Sequence, residues 1–219
     1  MTGDLEAIEL ETGKKPERSV IWLHGLGADG NDFAPIIPEL DLPPQPIRFV
    51  FPHAPMQPVT INGGMMMRAW YDISDAAIRR EDERGVRASQ GLMEKLIERE
   101  RERGTKPSRL VLAGFSQGGA IALQTALRYP ERLAGVLALS AYLPRAGSLQ
   151  SERSPANRGI PIFMAHGRYD DIIPLRRAEE SLKLLEAAGY PVEWHEYPMP
   201  HSVCAEEIAD IAAFLARIV

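Results

Sequence analysis

Five near-continuous apolar runs, rich in β-branched residues and separated by helix-period stretches, constrain the fold of this chain more than any other feature. They are Ser19 to Gly25 (SVIWLHG), Ile47 to His53 (IRFVFPH), Arg109 to Phe115 (RLVLAGF), Leu133 to Ser140 (LAGVLALS) and Pro161 to Gly167 (PIFMAHG). Strands that alternate polar and apolar residues expose one face, whereas unbroken runs belong to strands buried on both faces of a mostly parallel sheet. The covering helices are legible as well. Leu92/Met93/Leu96/Ile97, Ala178/Leu182/Leu185 and Ile208/Ile211/Ala212/Leu215 recur at three- and four-residue spacing, which places one apolar stripe on each helix. The segment Tyr190 to Tyr197 (YPVEWHEY) reads as an outer strand, and AIEL from Ala7 as an antiparallel edge strand. The expected class is α/β: a three-layer sandwich with helices on both faces of the sheet.

The length of 219 residues and 45% hydrophobic content suit one domain over 1–219. A net charge of −5 offers no attraction for nucleic acid or anionic lipid. The densest charge run, Arg79 to Gly104, holds eight basic and seven acidic residues and reads as a solvated helix face. The single cysteine, Cys204, excludes an intramolecular disulfide and reads as a small buried residue. The opening MTGDLEAIELETGKK lacks the apolar core of a signal peptide, and no stretch approaches the roughly 18 apolar residues of a membrane span. A cytoplasmic protein is expected.

Chemistry enters at Gly114-Phe-Ser-Gln-Gly118, where the run ending at Phe115 gives way to the helical pattern GGAIALQTALRYP. In open α/β sheets the ligand crevice lies beyond the carboxyl ends of the strands, and Ser116 occupies such an end. A G-x-S-x-G turn lifts a serine hydroxyl clear of the backbone, and glycines two residues either side leave the turn room to close. Ser116 is therefore the candidate nucleophile. A hydroxyl reacts only when a base takes its proton, and a carboxylate must hold that base in one tautomer. Three histidines follow Ser116. His195 lies within the expected outer strand and His166 closes another, while His201 stands in the loop PMPHSVC ahead of the last helix, free to reach the serine. The acid is Asp170 or Asp171; one orients His201 and the other anchors the turn, and spacing does not choose between them.

Two amides aimed at a developing oxyanion complete such a site. Gln117 follows the nucleophile and supplies one. The loop His24-Gly25-Leu26-Gly27 at the end of the first apolar run supplies the other through Leu26, with His24 read as a residue that organises the loop.

Taken in order, LHGLGADGNDF, GFSQGG, HGRYDDIIP and PHSVC resemble the bacterial carboxylesterases related to acyl-protein thioesterases and lysophospholipases, serine hydrolases of the α/β-hydrolase fold. The resemblance runs from about Ser19 to the end of the chain. It implies Ser116 as nucleophile, His201 as base and Asp170 as the orienting acid. It also implies an oxyanion hole from the Leu26 and Gln117 amides, no cofactor, no large lid and a homodimer. The stretch APMQPVTINGGMMMRAWYDI corresponds in that family to an irregular segment beside the acyl site. Met65, Met66, Met67 and Trp70 are expected to contact substrate there, the alternative for the methionines being a core gap or a dimer interface.

Hydrolysis of a small-molecule ester or thioester is the leading reading. A related hydrolase of lactones or peptides, and a non-catalytic binding module on the same fold, are the alternatives. A metal is not expected, because the histidines fall singly, without HExxH or CxxC spacing.

Overall fold

The computed structural model describes residues 5–75 and 81–218; Arg79 and Arg80 of the charge run lie outside them. Among the described residues there are nine strands: β1 (Ala7–Glu11), β2 (Arg18–Leu23), β3 (Ile47–Pro52), β4 (Met56–Val59), β5 (Met65–Arg68), β6 (Leu110–Phe115), β7 (Gly135–Leu139), β8 (Ile162–Gly167) and β9 (Val192–Tyr197). Five helices accompany them: α1 (Glu83–Glu102), α2 (Gln117–Ala126), α3 (Leu149–Glu152), α4 (Leu175–Ala187) and α5 (Ala205–Ile218). Seven strands form one sheet in the order β1-β3-β2-β6-β7-β8-β9. All neighbours run parallel except β1, which pairs antiparallel with β3 at the edge. The edge strand at Ala7 and the outer strand near Tyr190 are both where the sequence places them.

Side chains alternate across this sheet with period two. Ile21, Leu23, Leu110, Leu112, Val136, Ala138, Ile162 and Met164 join one core, which packs against the apolar stripes of α1, α2 and α4. Val20, Trp22, Val111, Ala113, Leu137, Leu139, Phe163 and Ala165 join the other, which Ile211, Phe214 and Leu215 of α5 and the 3₁₀ turn Ala34–Glu39 cover. The continuous apolar runs are thus explained: both faces of every central strand are buried.

Strand order reverses between β2 and β6. From β2 the chain moves to β3 on one side and then, through α1, to β6 on the other, so the carboxyl ends of β2 and β6 diverge at a topological switch point. The crevice that such a reversal opens is where α/β proteins bind ligands.

Two expectations need correction. The stretch expected to be irregular forms a small antiparallel hairpin, β4 with β5, closed by Gly63 and Gly64 at φ 67° and 77°. Left-handed backbone of that kind is cheap only for glycine. The charge run is also not wholly solvated. Glu100 on α1 is fully buried, accepting from Arg48 Nη1 at 2.9 Å, from Ser19 Oγ at 2.5 Å and from Arg103 Nη1 at 2.9 Å. It ties the starts of β2 and β3 to the end of the helix.

A second buried acid lies at the start of α5. Glu207 has no accessible surface, and its burial, which the Cys204 amide only partly offsets, raises its carboxyl from 4.5 to about 8. Between those values the folded protein holds a proton that the unfolded chain releases. The contribution to stability is therefore fully present below about pH 4.5 and is lost as pH rises toward about 8. Glu207→Gln should consequently raise Tm relative to the natural chain at pH 8, with the gain shrinking toward pH 5. Thermal denaturation across that range checks this; a difference that does not grow with pH would contradict it.

Candidate active site

Ser116 sits between β6 and α2 with φ 55° and ψ −121°, a conformation that a residue with a β-carbon adopts only under constraint. The constraint is the closeness of its neighbours. A β-carbon on Gly114 would lie 2.3 Å from the carbonyl carbon of Gly118, and one on Gly119 would lie 2.7 Å from the Ala141 methyl. One on Gly118 would meet the carbonyl oxygens of Leu23 and His24 at 2.4 and 2.6 Å. The last contact joins two loops: the start of α2 presses directly on the end of β2.

That end of β2 leads into the His24–Gly27 loop. His24 is buried and organises it, its Nδ1–H donating to the Gly25 carbonyl (2.7 Å) while Nε2 accepts from the Ala54 amide (3.0 Å). Burial lowers the His24 pKa, consistent with this neutral tautomer. Beyond it, the Gly27 amide donates to the Arg68 carbonyl (2.9 Å) and the Ala28 amide to that of Gly25 (3.3 Å). Leu26, directly before these engaged amides, lines a cavity of about 380 Å³ together with Ser116 and Gln117. Gln117 opens α2, where the first amides of a helix have no intrahelical acceptor.

The acid and the histidine come from the next strand ends. Asp170 follows β8 and is buried; Oδ2 accepts from His201 Nδ1 at 2.7 Å, and Oδ1 accepts from the amides of Ile172 (3.0 Å) and Ile173 (2.8 Å). Burial pushes its carboxyl up, but the His201 hydrogen bond and the Ile173 amide outweigh this and hold it below its ordinary value. One residue thus both orients the histidine and anchors the turn. Asp171, the alternative that spacing left open, is exposed and lies on the cavity wall. The His201 ring packs on Phe115, centroid to centroid 4.6 Å, which brings it beside the serine turn. Gly167 lets the loop approach: a β-carbon there would strike the Met199 and Pro200 carbonyl oxygens at 2.4 Å.

The other two histidines after Ser116 have different partners. His166 is fully buried beside the acid, with Nε2 donating to the Ile173 carbonyl at 2.7 Å and lying 3.3 Å from Asp170 Oδ2, and burial lowers its pKa. His195 lies on β9, stacked on Phe163 and paired with Glu193 and Asp210. Cys204 is half-buried, and burial pushes its thiol upward, away from reactive thiolate. Among the described residues no cluster of three or more His, Cys, Asp or Glu is placed to hold a metal, and no helix is long and apolar enough to cross a membrane.

The expected substrate contacts are the part that changes. None of Met65, Met66, Met67 and Trp70 lines the cavity. On the β4–β5 hairpin Met65 and Met66 project to opposite faces and are both exposed, 62% and 56%, while Met67 is half-buried beside Gly27. Trp70 is a buried tie. Its amide donates to Gln117 Oε1 (2.7 Å), its indole Nε1 donates to the His24 carbonyl (2.9 Å), and its own carbonyl accepts from Ser89 Oγ. Gln117 Nε2 in turn donates to the Tyr71 carbonyl at 2.7 Å. Ile61, Ile73 and Ile173 form the apolar walls instead, and Tyr71 and Tyr142 meet there through a 2.8 Å hydroxyl contact. Tyr142 was detectable in sequence, since SAYLP directly follows β7 at the carboxyl edge of the sheet; Ile61 and Ile73 carry no such signal.

The sequence profile of the phospholipase/carboxylesterase family matches residues 5–219. Acyl-protein thioesterase 1 of Mycosarcoma maydis is 39% identical over 229 aligned positions, spanning 97% of this chain and 95% of that protein. The crystal structure of Arabidopsis thaliana SOBER1 superposes with a TM-score of 0.87 at 31% identity, covering 91% of this chain and 98% of the other. Zea mays acyl-protein thioesterase 2 gives 0.85 at 28%, covering 97% and 98%.

The contact between Gly118 and β2 is testable through stability. Gly118→Ala places a methyl against two carbonyl groups and should cost about 2–3 kcal/mol or more in denaturant unfolding. Gly147→Ala, where a β-carbon meets nothing within 4 Å, should change stability by no more than about 0.5 kcal/mol. Equal effects would show that the turn is not closed by this contact.

Proposed function

This chain belongs to the phospholipase/carboxylesterase family, serine hydrolases of esters and thioesters on the α/β-hydrolase fold, and from that premise we propose that Ser116, His201 and Asp170 carry the reaction. The observation behind the proposal is the meeting of a left-handed serine and a carboxylate-held histidine at the switch point of the sheet, with Ser116 facing an apolar cavity.

Asp170, ionised at neutral pH, can only accept, so the proton of the 2.7 Å bond resides on His201 Nδ1 and the lone pair on Nε2. Nε2 takes the hydroxyl proton as Ser116 Oγ attacks the substrate carbonyl. The Leu26 and Gln117 amides receive the oxyanion, the latter reinforced by the positive end of α2. Collapse expels an alcohol or thiol protonated by His201, and water releases the acid by the reverse sequence. Relatives named acyl-protein thioesterase support thioesters joined to proteins as natural substrates. A homodimer and a cytoplasmic location belong to the same proposal, the former supported by apolar surface at Met56, Met65 and Met66.

A fluorophosphonate probe should modify Ser116 stoichiometrically, located by peptide mass spectrometry. Ser116→Ala should abolish hydrolysis of p-nitrophenyl esters while remaining folded, and Asp170→Asn should lower kcat about 10³- to 10⁴-fold by permitting the wrong tautomer. An unimpaired Ser116→Ala protein would overturn the assignment.

A further inference from the structure

A second depression adjoins the proposed serine–histidine pair. It encloses about 360 Å³, and where the first cavity is lined by Ser116 and Gln117, this one is lined by Phe115 and His201. Its walls are apolar, formed by Phe33 and Ile36 on one side and Val203 and Ile208 on the other. Phe33 is fixed in place by packing on Trp22 (centroids 5.4 Å) and Phe115 (5.6 Å). Pro35 and Ser202 also line it, and two acidic residues complete it, Asp32 before the 3₁₀ turn Ala34–Glu39 and Glu39 at its end. Both are exposed, no Lys or Arg lines the groove, and among the described residues neither carboxylate is in an ion pair.

We propose that this groove binds the alcohol or thiol half of the substrate and favours leaving groups that carry a positive charge beyond an apolar segment. The inference rests on the roles given above to Ser116 and His201. In acyl transfer the bond from Ser116 Oγ to the carbonyl carbon forms, the bond from that carbon to the leaving oxygen or sulfur breaks, and the leaving atom receives the proton held on His201 Nε2. The acyl half stays on Ser116, and the leaving atom must lie within hydrogen-bond reach of His201. The remainder of the leaving group therefore extends along the surface that His201 shares, which is this groove. Its apolar walls suit the carbons next to the scissile bond. Its two unpaired carboxylates, on a chain of net charge −5, attract a cation and repel an anion.

Three thioesters with one butyryl group and different thiols test this: cationic butyrylthiocholine, its neutral 3,3-dimethylbutyl isostere and the anionic 2-sulfonatoethyl thioester, each read by thiol release. At low salt kcat/KM should fall from cation to neutral to anion by about three- to tenfold per step, and the spread should narrow in 0.5 M NaCl. The double variant Asp32→Asn/Glu39→Gln should bring the cation-to-anion ratio close to one. A natural-chain ratio at or below one, or a ratio unmoved by the double variant, overturns the proposal. The salt titration keeps it falsifiable should that variant not fold. Failure of the underlying assignment looks different: Ser116→Ala would still cleave the neutral thioester.

Discussion

The site depends on a backbone contact: Gly118 of α2 against the carbonyl groups of Leu23 and His24 that end β2. Any side chain at 118 would force the helix from the strand, and both halves of the crevice would separate. Because it is glycine, the first turn of α2 and the His24–Gly27 loop form one unit. Ser116 is driven into its left-handed conformation between them. Strain of that kind, of order 1–3 kcal/mol, persists only where surrounding packing over-determines it. Here fully buried strands on both sides of β6 supply the packing.

A second tie gives the crevice its third wall. Trp70 spends its amide on Gln117, its carbonyl on Ser89 and its indole on His24, so the serine turn, α1 and the β2 loop are all bonded to one residue. The Gln117 side chain closes the arrangement on the Tyr71 carbonyl and thereby fixes Tyr71 in the cavity wall. Dipoles held this way need little reorganisation when charge develops, and an apolar cavity strengthens their effect. Trp70 thus braces the serine turn from within the packing, buried and outside the lining of the cavity.

What could be read from the sequence follows from how local each signal is. Runs buried on both faces, glycines around Ser116 and a loop histidine ahead of a helix are properties of a few consecutive residues. The sheet, its edge strands, the serine turn and the pairing of His201 with an acid were accordingly legible. Glu100 was not, because nothing in a run of alternating charges distinguishes the one acid whose helical position turns it toward Arg48 and Ser19. The cavity walls were not either. Ile61, Ile73, Tyr71, Tyr142 and Ile173 converge from four separate loops, and the methionines sit on a two-stranded hairpin where successive side chains project to opposite faces, so that Met65 and Met66 are exposed and only Met67 is half-buried.

On the proposed assignment the two depressions also account for the order of events. His201 serves both halves of the reaction, passing the Ser116 proton to the departing alcohol or thiol and then activating water for attack on the acyl-serine. The second step requires that water approach from where the leaving group has just gone, while the acyl half stays out of its path. A cavity bounded by Ser116, Gln117 and Leu26 can retain the acyl half beside the oxyanion amides, and a groove on the His201 face can empty and admit water without disturbing it. Had both halves shared one pocket, the retained chain would have stood between the base and its water. On that assignment, keeping the two depressions distinct, one lined by Ser116 and the other by Phe115 and His201, would matter as much to deacylation as to the choice of substrate.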